Sequence, residues 1–131
     1  MEREASLLRK ALGPHWEKMF NDLEVAVAQS LVSSGIAYEY EPRLDASRTI
    51  VPDFLIGTKV IECTRWTDTK AKARSLAERL AYPRKHLPGL SPGVVTTSEL
   101  LEPYTRHLKG VARVVSLEEL QANPQAILEG L

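Results

Sequence analysis

The feature that most constrains the fold is a pair of apolar segments, residues 49–56 and 59–66, joined by Gly57 and Thr58. Both segments have the length and apolar content of β-strands. Glycine in the first central position favours a two-residue type II′ hairpin turn. The turn therefore predicts a hairpin and fixes which residues face each other.

The predicted register brings two acids together. Ile56 faces Lys59 across the turn, and counting outward from this pair places Asp53 opposite Glu62. Their side chains project from the same face because strand side chains alternate, and opposed carboxylates repel unless positive charge lies between them. Both faces are otherwise mainly apolar, as in central strands covered by helices on both sides. Val51, Leu55, Val60 and Thr64 share the face of the acids, and Phe54, Ile56, Ile61 and Cys63 share the other.

Two ionised carboxylates on such a sheet are costly unless they reach solvent, find cationic partners or hold a metal ion. Hard carboxylate oxygens favour Mg²⁺ or Mn²⁺ over Zn²⁺. The alternative is an acid pair neutralised by Lys or Arg from the following helix, with no catalytic role. The sequence leaves both explanations open.

Composition predicts a single domain over residues 1–131, with 44% hydrophobic and 26% charged residues. The N-terminus lacks the apolar core of a signal peptide and no apolar run is long enough to span a membrane, so we expect a cytoplasmic protein with no membrane partner. The single cysteine excludes an internal disulfide framework. The net charge of +0 does not by itself indicate a polyanion partner. The segment between Lys59 and Lys85 is nevertheless basic, and a solvated helix face would also explain it.

The rest of the chain predicts alternating helices and strands. We expect a helix over 2–12, and a second helix up to Gly35 whose apolar stripe comprises Trp16, Phe20, Leu23, Val27 and Leu31. A strand over 37–42 precedes the hairpin, and a helix from Asp68 to Tyr82 follows it, ending before a loop that contains Pro83 and Pro92. Strands over 93–97 and 111–115 flank a helix over 98–108, and a capping pattern at Ser116 opens a final helix.

One short motif resembles a known signature. Pro52-Asp53, eight further residues and then Glu62-Cys63-Thr64 resemble the motif of the PD-(D/E)XK nuclease superfamily, which includes restriction endonucleases and archaeal Holliday-junction resolvases. The predicted element order over roughly residues 15–97 is similar to that family's core. The resemblance implies a restriction endonuclease-like α/β fold, in which helices flank a mixed central sheet in three α/β/α layers.

The resemblance also implies a function: a metal-dependent endonuclease that hydrolyses phosphodiester bonds in DNA and works as a homodimer. Asp53 and Glu62 would be catalytic and would bind Mg²⁺ or Mn²⁺. The Cys63 carbonyl would be a further ligand. Glu24 matches the acid that such enzymes often carry on their first helix.

The sequence departs from the family at Thr64, where the motif has lysine. Threonine cannot supply a cation to position the attacking water or to stabilise the charged transition state. Lys70 and Lys72 are the main candidates for a displaced catalytic lysine, and the sequence does not choose between them. Arg65 and Arg74 are weaker candidates, since Arg65 is expected on the face opposite Glu62.

Five cations are predicted to bind nucleic acid by holding flanking phosphates, which fixes position without selecting a sequence. They are Arg65, Arg74, Arg79, Arg84 and Lys85. Trp66 has a side chain that can stack on a base, although the expectation is that it packs within the fold. The alternative to a nuclease is a catalytically silent nucleic-acid-binding or scaffold subunit with the same fold, which Thr64 favours.

Overall fold

The computed structural model describes residues 21–44 and 51–131, and within them five strands form one mixed, open sheet. Along the sheet the strands follow chain order: β1 (Glu39–Tyr40), β2 (Phe54–Ile56), β3 (Lys59–Cys63), β4 (Ser91–Thr96) and β5 (Arg113–Ser116). The first three strands are antiparallel, whereas β3, β4 and β5 run parallel. The predicted mixed α/β class is confirmed.

Five α-helices accompany the sheet in the described ranges. They are α1 (Asp22–Ser33), α2 (Thr69–His86), α3 (Leu101–His107), α4 (Leu117–Ala122) and α5 (Pro124–Glu129), with a 3₁₀ turn over Ser98–Leu100 before α3. The capping box predicted at Ser116 is present, with Glu119 as its second member. None of the described helices has the length and apolarity needed to cross a membrane.

Two apolar clusters divide the molecule into helix, sheet and helix layers. The first joins α1, α4 and α5 to one face of the sheet, through residues such as Leu23, Val27, Leu31, Phe54, Ile61, Val95 and Leu120. The second joins α2 and α3 to the other face, through Val60, Leu76, Leu80, Val94, Tyr104 and Leu108. The predicted stripe of α1 is thus confirmed at Leu23, Val27 and Leu31. Its members Trp16 and Phe20, like the helix predicted over 2–12, lie outside the described residues.

The hairpin has the predicted register. Ile56 pairs with Lys59 and Phe54 with Ile61, and Gly57 has the positive φ of 61° that the first turn position requires. Both strands are shorter than predicted, since regular pairing ends at Phe54 and Cys63. Regular pairing ends there because the carboxylates of Asp53 and Glu62 accept hydrogen bonds from backbone amides at the end of the ladder.

Two prolines lie inside regular structure rather than in the predicted loop. Helix α2 continues through Pro83 to His86; a proline there removes one backbone donor, and burial of its ring offsets part of that cost. Pro92 lies in β4, where its nitrogen faces the β5 side because the neighbouring Ser91 donates to Thr58 on the β3 side. The β4–β5 ladder begins only at Gly93, so the missing donor of Pro92 breaks no ladder hydrogen bond.

Candidate active site

The end of the hairpin fixes Asp53 and Glu62 through two reciprocal hydrogen bonds. The Asp53 amide donates to Glu62 Oε1 at 3.0 Å, and the Cys63 amide donates to Asp53 Oδ2 at 2.7 Å. Each carboxylate therefore accepts a backbone N–H across the hairpin. The opposition of the two acids, predicted from the register, is therefore observed just beyond the last regular pair of the hairpin, Phe54 and Ile61.

Arg79, from the middle of α2, lies against this acid pair. Its Nη2 is 3.1 Å from Glu62 Oε2 and also donates to the Val51 carbonyl at 2.8 Å. Glu62 is only 1% exposed, whereas the side chain of Arg79 is 38% exposed, so the ion pair is buried on the side of the acid and reaches solvent on the side of the arginine. The structure thus shows the neutralisation by the following helix that the sequence left open. It places Arg79 at the acids, whereas the sequence assigned it to flanking phosphates.

Glu24 reaches the same place from α1, on the opposite side of the sheet. Its Oε2 accepts a hydrogen bond from the hydroxyl of Tyr40, and the charge of Asp53 acts on its carboxyl group, which places the two acids near each other. Glu24, Asp53 and Glu62, here called the acid cluster, therefore bring together carboxyl groups from one helix and two strands. The cluster contains each of the three acids that the sequence singled out.

Burial raises the pKa of every member of the acid cluster. For Glu62, burial and the charge of Asp53 outweigh the opposing charge of Arg79 and raise the pKa to about 7. For Asp53, burial is opposed by the hydrogen bond from Cys63 and by Arg79, and the pKa is raised. For Glu24, burial outweighs the hydrogen bond from Tyr40. Glu62 therefore retains its proton up to about pH 7, and a cation bound nearby would favour its loss.

The structure distinguishes the two lysines proposed as replacements for the motif lysine. Lys72 is half-buried, and its charge lowers the pKa of both Asp53 and Glu62, which places it near the acid cluster. Lys70 is exposed. Lys72 and Arg79 are seven residues apart, about two helical turns, and so share a face of α2. This spacing is the sequence signal that could have assigned Arg79 to the acids.

Thr64, the residue at which the sequence departs from the motif that it resembles, is held by a buried hydroxyl pair. Its Oγ1 lies 3.2 Å from the Tyr104 hydroxyl and accepts a hydrogen bond from the Trp66 amide at 3.3 Å. Tyr104 donates its only hydroxyl proton to the Trp66 carbonyl at 2.6 Å. Thr64 must therefore donate to Tyr104. Its hydroxyl has a structural role beside the acids, and the sequence gave no sign of Tyr104 as its partner.

Of the remaining predicted binding residues, Arg65, Arg74 and Lys85 are exposed. Arg65 is exposed, with Nη1 3.8 Å from Oδ2 of Asp22 on α1, on the side of the sheet away from α2 as predicted. Arg74 and Lys85 are exposed on α2, and Arg84 lies within the same helix. Trp66 is 65% exposed, so the expectation that it packs is wrong. The hydrogen bonds that its backbone makes with the hydroxyls of Thr64 and Tyr104 hold the chain in a position where the indole faces solvent.

A divalent cation fits the chemistry of the acid cluster but not its present arrangement. Over residues 21–44 and 51–131, no group of three or more His, Cys, Asp and Glu side chains is placed to hold a metal ion. Both oxygens of Glu62 have partners, the Asp53 amide and Arg79. Glu24 and Asp53 nevertheless bring two carboxyl groups near each other, and such oxygens are the ligands that Mg²⁺ and Mn²⁺ prefer.

Comparison of the chain with models of known protein families, with curated proteins and with solved structures gives no match.

Proposed function

We propose that the protein is a metal-dependent endonuclease that hydrolyses phosphodiester bonds in DNA, with a restriction endonuclease-like fold of the PD-(D/E)XK type. One observation carries the proposal: the acid cluster is assembled from opposite sides of the sheet at the point where Lys72 and Arg79 place two positive charges. A purely structural ion pair needs one acid and one base. Three carboxyl groups with raised pKa values are a costly arrangement that suits a functional site.

Within this proposal Asp53 and Glu62 would hold Mg²⁺ or Mn²⁺, and Glu24 and the Cys63 carbonyl would be further ligands. The metal, when bound, lowers the pKa of a coordinated water and neutralises charge on the scissile phosphate. Asp53 and Glu24 would bind the ion in their ionised form, against the rise in pKa that burial causes in both. Glu62 keeps its position through the Asp53 amide, and Arg79 keeps its position through the Val51 carbonyl.

Lys72 is the proposed replacement for the motif lysine. Its charge already acts on the two strand acids, so a phosphate bound there would lie within its field. Lys70 and Lys72 lie near the N-terminus of α2, where cations oppose the helix dipole and add nothing to helix stability. The two positive charges are therefore better explained by a bound anion than by the stability of the helix. Exposed Arg74 and Lys85 would hold neighbouring phosphates of DNA, with two copies of the chain serving two strands.

A second candidate, the catalytically silent nucleic-acid-binding or scaffold subunit, has specific support. Arg79 already neutralises Glu62, and the hydroxyl of Thr64 is engaged by Tyr104 and Trp66. In that case the acids only stabilise the hairpin. Metal binding and cleavage separate the two candidates.

The test uses a labelled panel of single-stranded, duplex, flap and four-way-junction DNA, and RNA, with Mg²⁺, Mn²⁺ or EDTA. Asp53→Asn keeps the shape of the side chain, and Glu78→Gln, an exposed change on α2, is its matched control. We expect metal-dependent cleavage that Asp53→Asn abolishes and Glu78→Gln retains. Loss of cleavage in Lys72→Ala but not Lys70→Ala would identify the lysine. Wild-type protein that binds the panel but cuts none of it would refute the nuclease and support the silent subunit.

A further inference from the structure

Trp66 is exposed in a way that folding does not explain. It is the one large hydrophobic side chain that is exposed within the described parts of the chain, at 65% of its surface. Its indole lies immediately beyond the strand that carries Glu62. An isolated exposed apolar side chain needs no explanation by itself, so its significance depends on how it is held and what lies beside it.

The backbone of Trp66 is anchored although its side chain is not. Its amide donates to the hydroxyl of Thr64 and its carbonyl accepts from the hydroxyl of Tyr104. These two partners are 2% and 0% exposed. The carbonyl of Thr64 is fixed in turn by Thr96 Oγ1 at 2.7 Å. Buried hydroxyls from the residue that follows β3, from β4 and from α3 thus hold the loop in place, and the indole is presented to solvent on a rigid support.

Lys72 lies near both the indole of Trp66 and the acid cluster. Its Nζ lies 5.9 Å from the ring centroid, within the range of a cation–π contact. The same charge lowers the pKa of Asp53 and Glu62. A nucleotide whose phosphate approaches Lys72 from the side of the acids therefore has its base on the side of Trp66. Stacking on an aromatic ring is independent of base identity because every base has a π-face.

We propose that Trp66 stacks on an unpaired nucleobase next to the phosphate bound at the acid cluster, so that the substrate is nucleic acid with a single-stranded base at that position. This inference rests on the proposed function for the position of the phosphate, and it adds the class of substrate. Bases inside a duplex are already stacked on both sides and offer no free face to the indole. A flap, a loop or a single strand offers one.

Binding in EDTA tests the stacking separately from cleavage. The probes are a fluorescein-labelled oligothymidylate, a duplex of equal length, and a single strand that carries one 2-aminopurine. The variants are Trp66→Ala, the conservative Trp66→Phe, and Thr67→Ala as an exposed neighbouring control. We expect Trp66→Ala to weaken single-strand binding by roughly 5- to 150-fold, with Trp66→Phe restoring most of it and Thr67→Ala unchanged. Duplex binding should not depend on Trp66, and 2-aminopurine fluorescence should be quenched by the wild type but not by Trp66→Ala.

Equal single-strand affinity of wild type and Trp66→Ala would overturn the inference, as would a loss of the same size on duplex or the absence of binding to any single strand. The proposed function fails separately. Stacking that depends on Trp66, without cleavage in Mg²⁺ or Mn²⁺, would support the binding surface and refute the nuclease. Metal-dependent cleavage, together with binding that does not depend on Trp66, would support the nuclease and refute the stacking.

Discussion

Loss of the proton of Glu62 should make the protein less stable as the pH rises towards 8. The folded state raises the pKa of this carboxyl group from its ordinary 4.5 to about 7. Between these values the folded protein holds a proton that the unfolded chain has lost. The stabilisation is fully present below pH 4.5 and is lost as the pH rises through 7. The shift corresponds to roughly 3 kcal/mol, with a slope of up to about 1.4 kcal/mol per pH unit.

The measurement is the free energy of unfolding by urea at intervals from pH 4.5 to 8, for wild type, Glu62→Gln and the exposed control Glu78→Gln. Glu62→Gln also changes the contact with Arg79, which shifts its curve relative to that of the wild type. The titration of Glu62 is read from the slope of the free energy of unfolding against pH, and not from the offset between the curves. We expect Glu62→Gln to lose up to about 3 kcal/mol of the wild-type pH dependence, and Glu78→Gln to run parallel to wild type. Parallel curves for wild type and Glu62→Gln would show that Glu62 does not retain its proton.

Two further predictions concern the framework of the site, and urea unfolding measures both. Leu76→Ala, at a side chain 1% exposed between α2 and the sheet, should destabilise the protein by about 2–5 kcal/mol because it leaves a cavity; a loss below about 1 kcal/mol would show that the layers close around the gap. Ser116→Ala removes one half of the capping box of α4 and should cost about 1 kcal/mol, and an unchanged midpoint would contradict that role.

The sequence predicted the hairpin and its acids because their geometry is local. The register follows from the turn at Gly57, so the opposition of Asp53 and Glu62 needed no knowledge of the remaining fold. The pairing of Glu62 with Arg79 depends on how α2 packs against the sheet, which periodicity alone does not fix to within a hydrogen bond. The end of α2 was misplaced because a buried proline can be tolerated inside a helix.

Trp66 illustrates a different limit of sequence reasoning. Its apolar character indicated packing, yet its position is decided by hydroxyl groups that lie far away in the chain, above all that of Tyr104. A hydrogen bond between residues 38 positions apart leaves no periodic signal. The site was therefore predictable where it depends on strand pairing, and unpredictable where side chains from distant elements meet.

At the end of the hairpin, two backbone amides donate to carboxylates instead of to backbone carbonyls, and this gives the two amides an unusual role. The N–H groups of Asp53 and Cys63 are bound by side chains that can take up protons. Their rates of hydrogen–deuterium exchange should therefore follow the ionisation of the acid cluster, whereas neighbouring amides in β3 should follow the opening of the sheet. The hairpin thus carries its own reporter, in which two backbone resonances reveal the charge state of buried carboxyl groups.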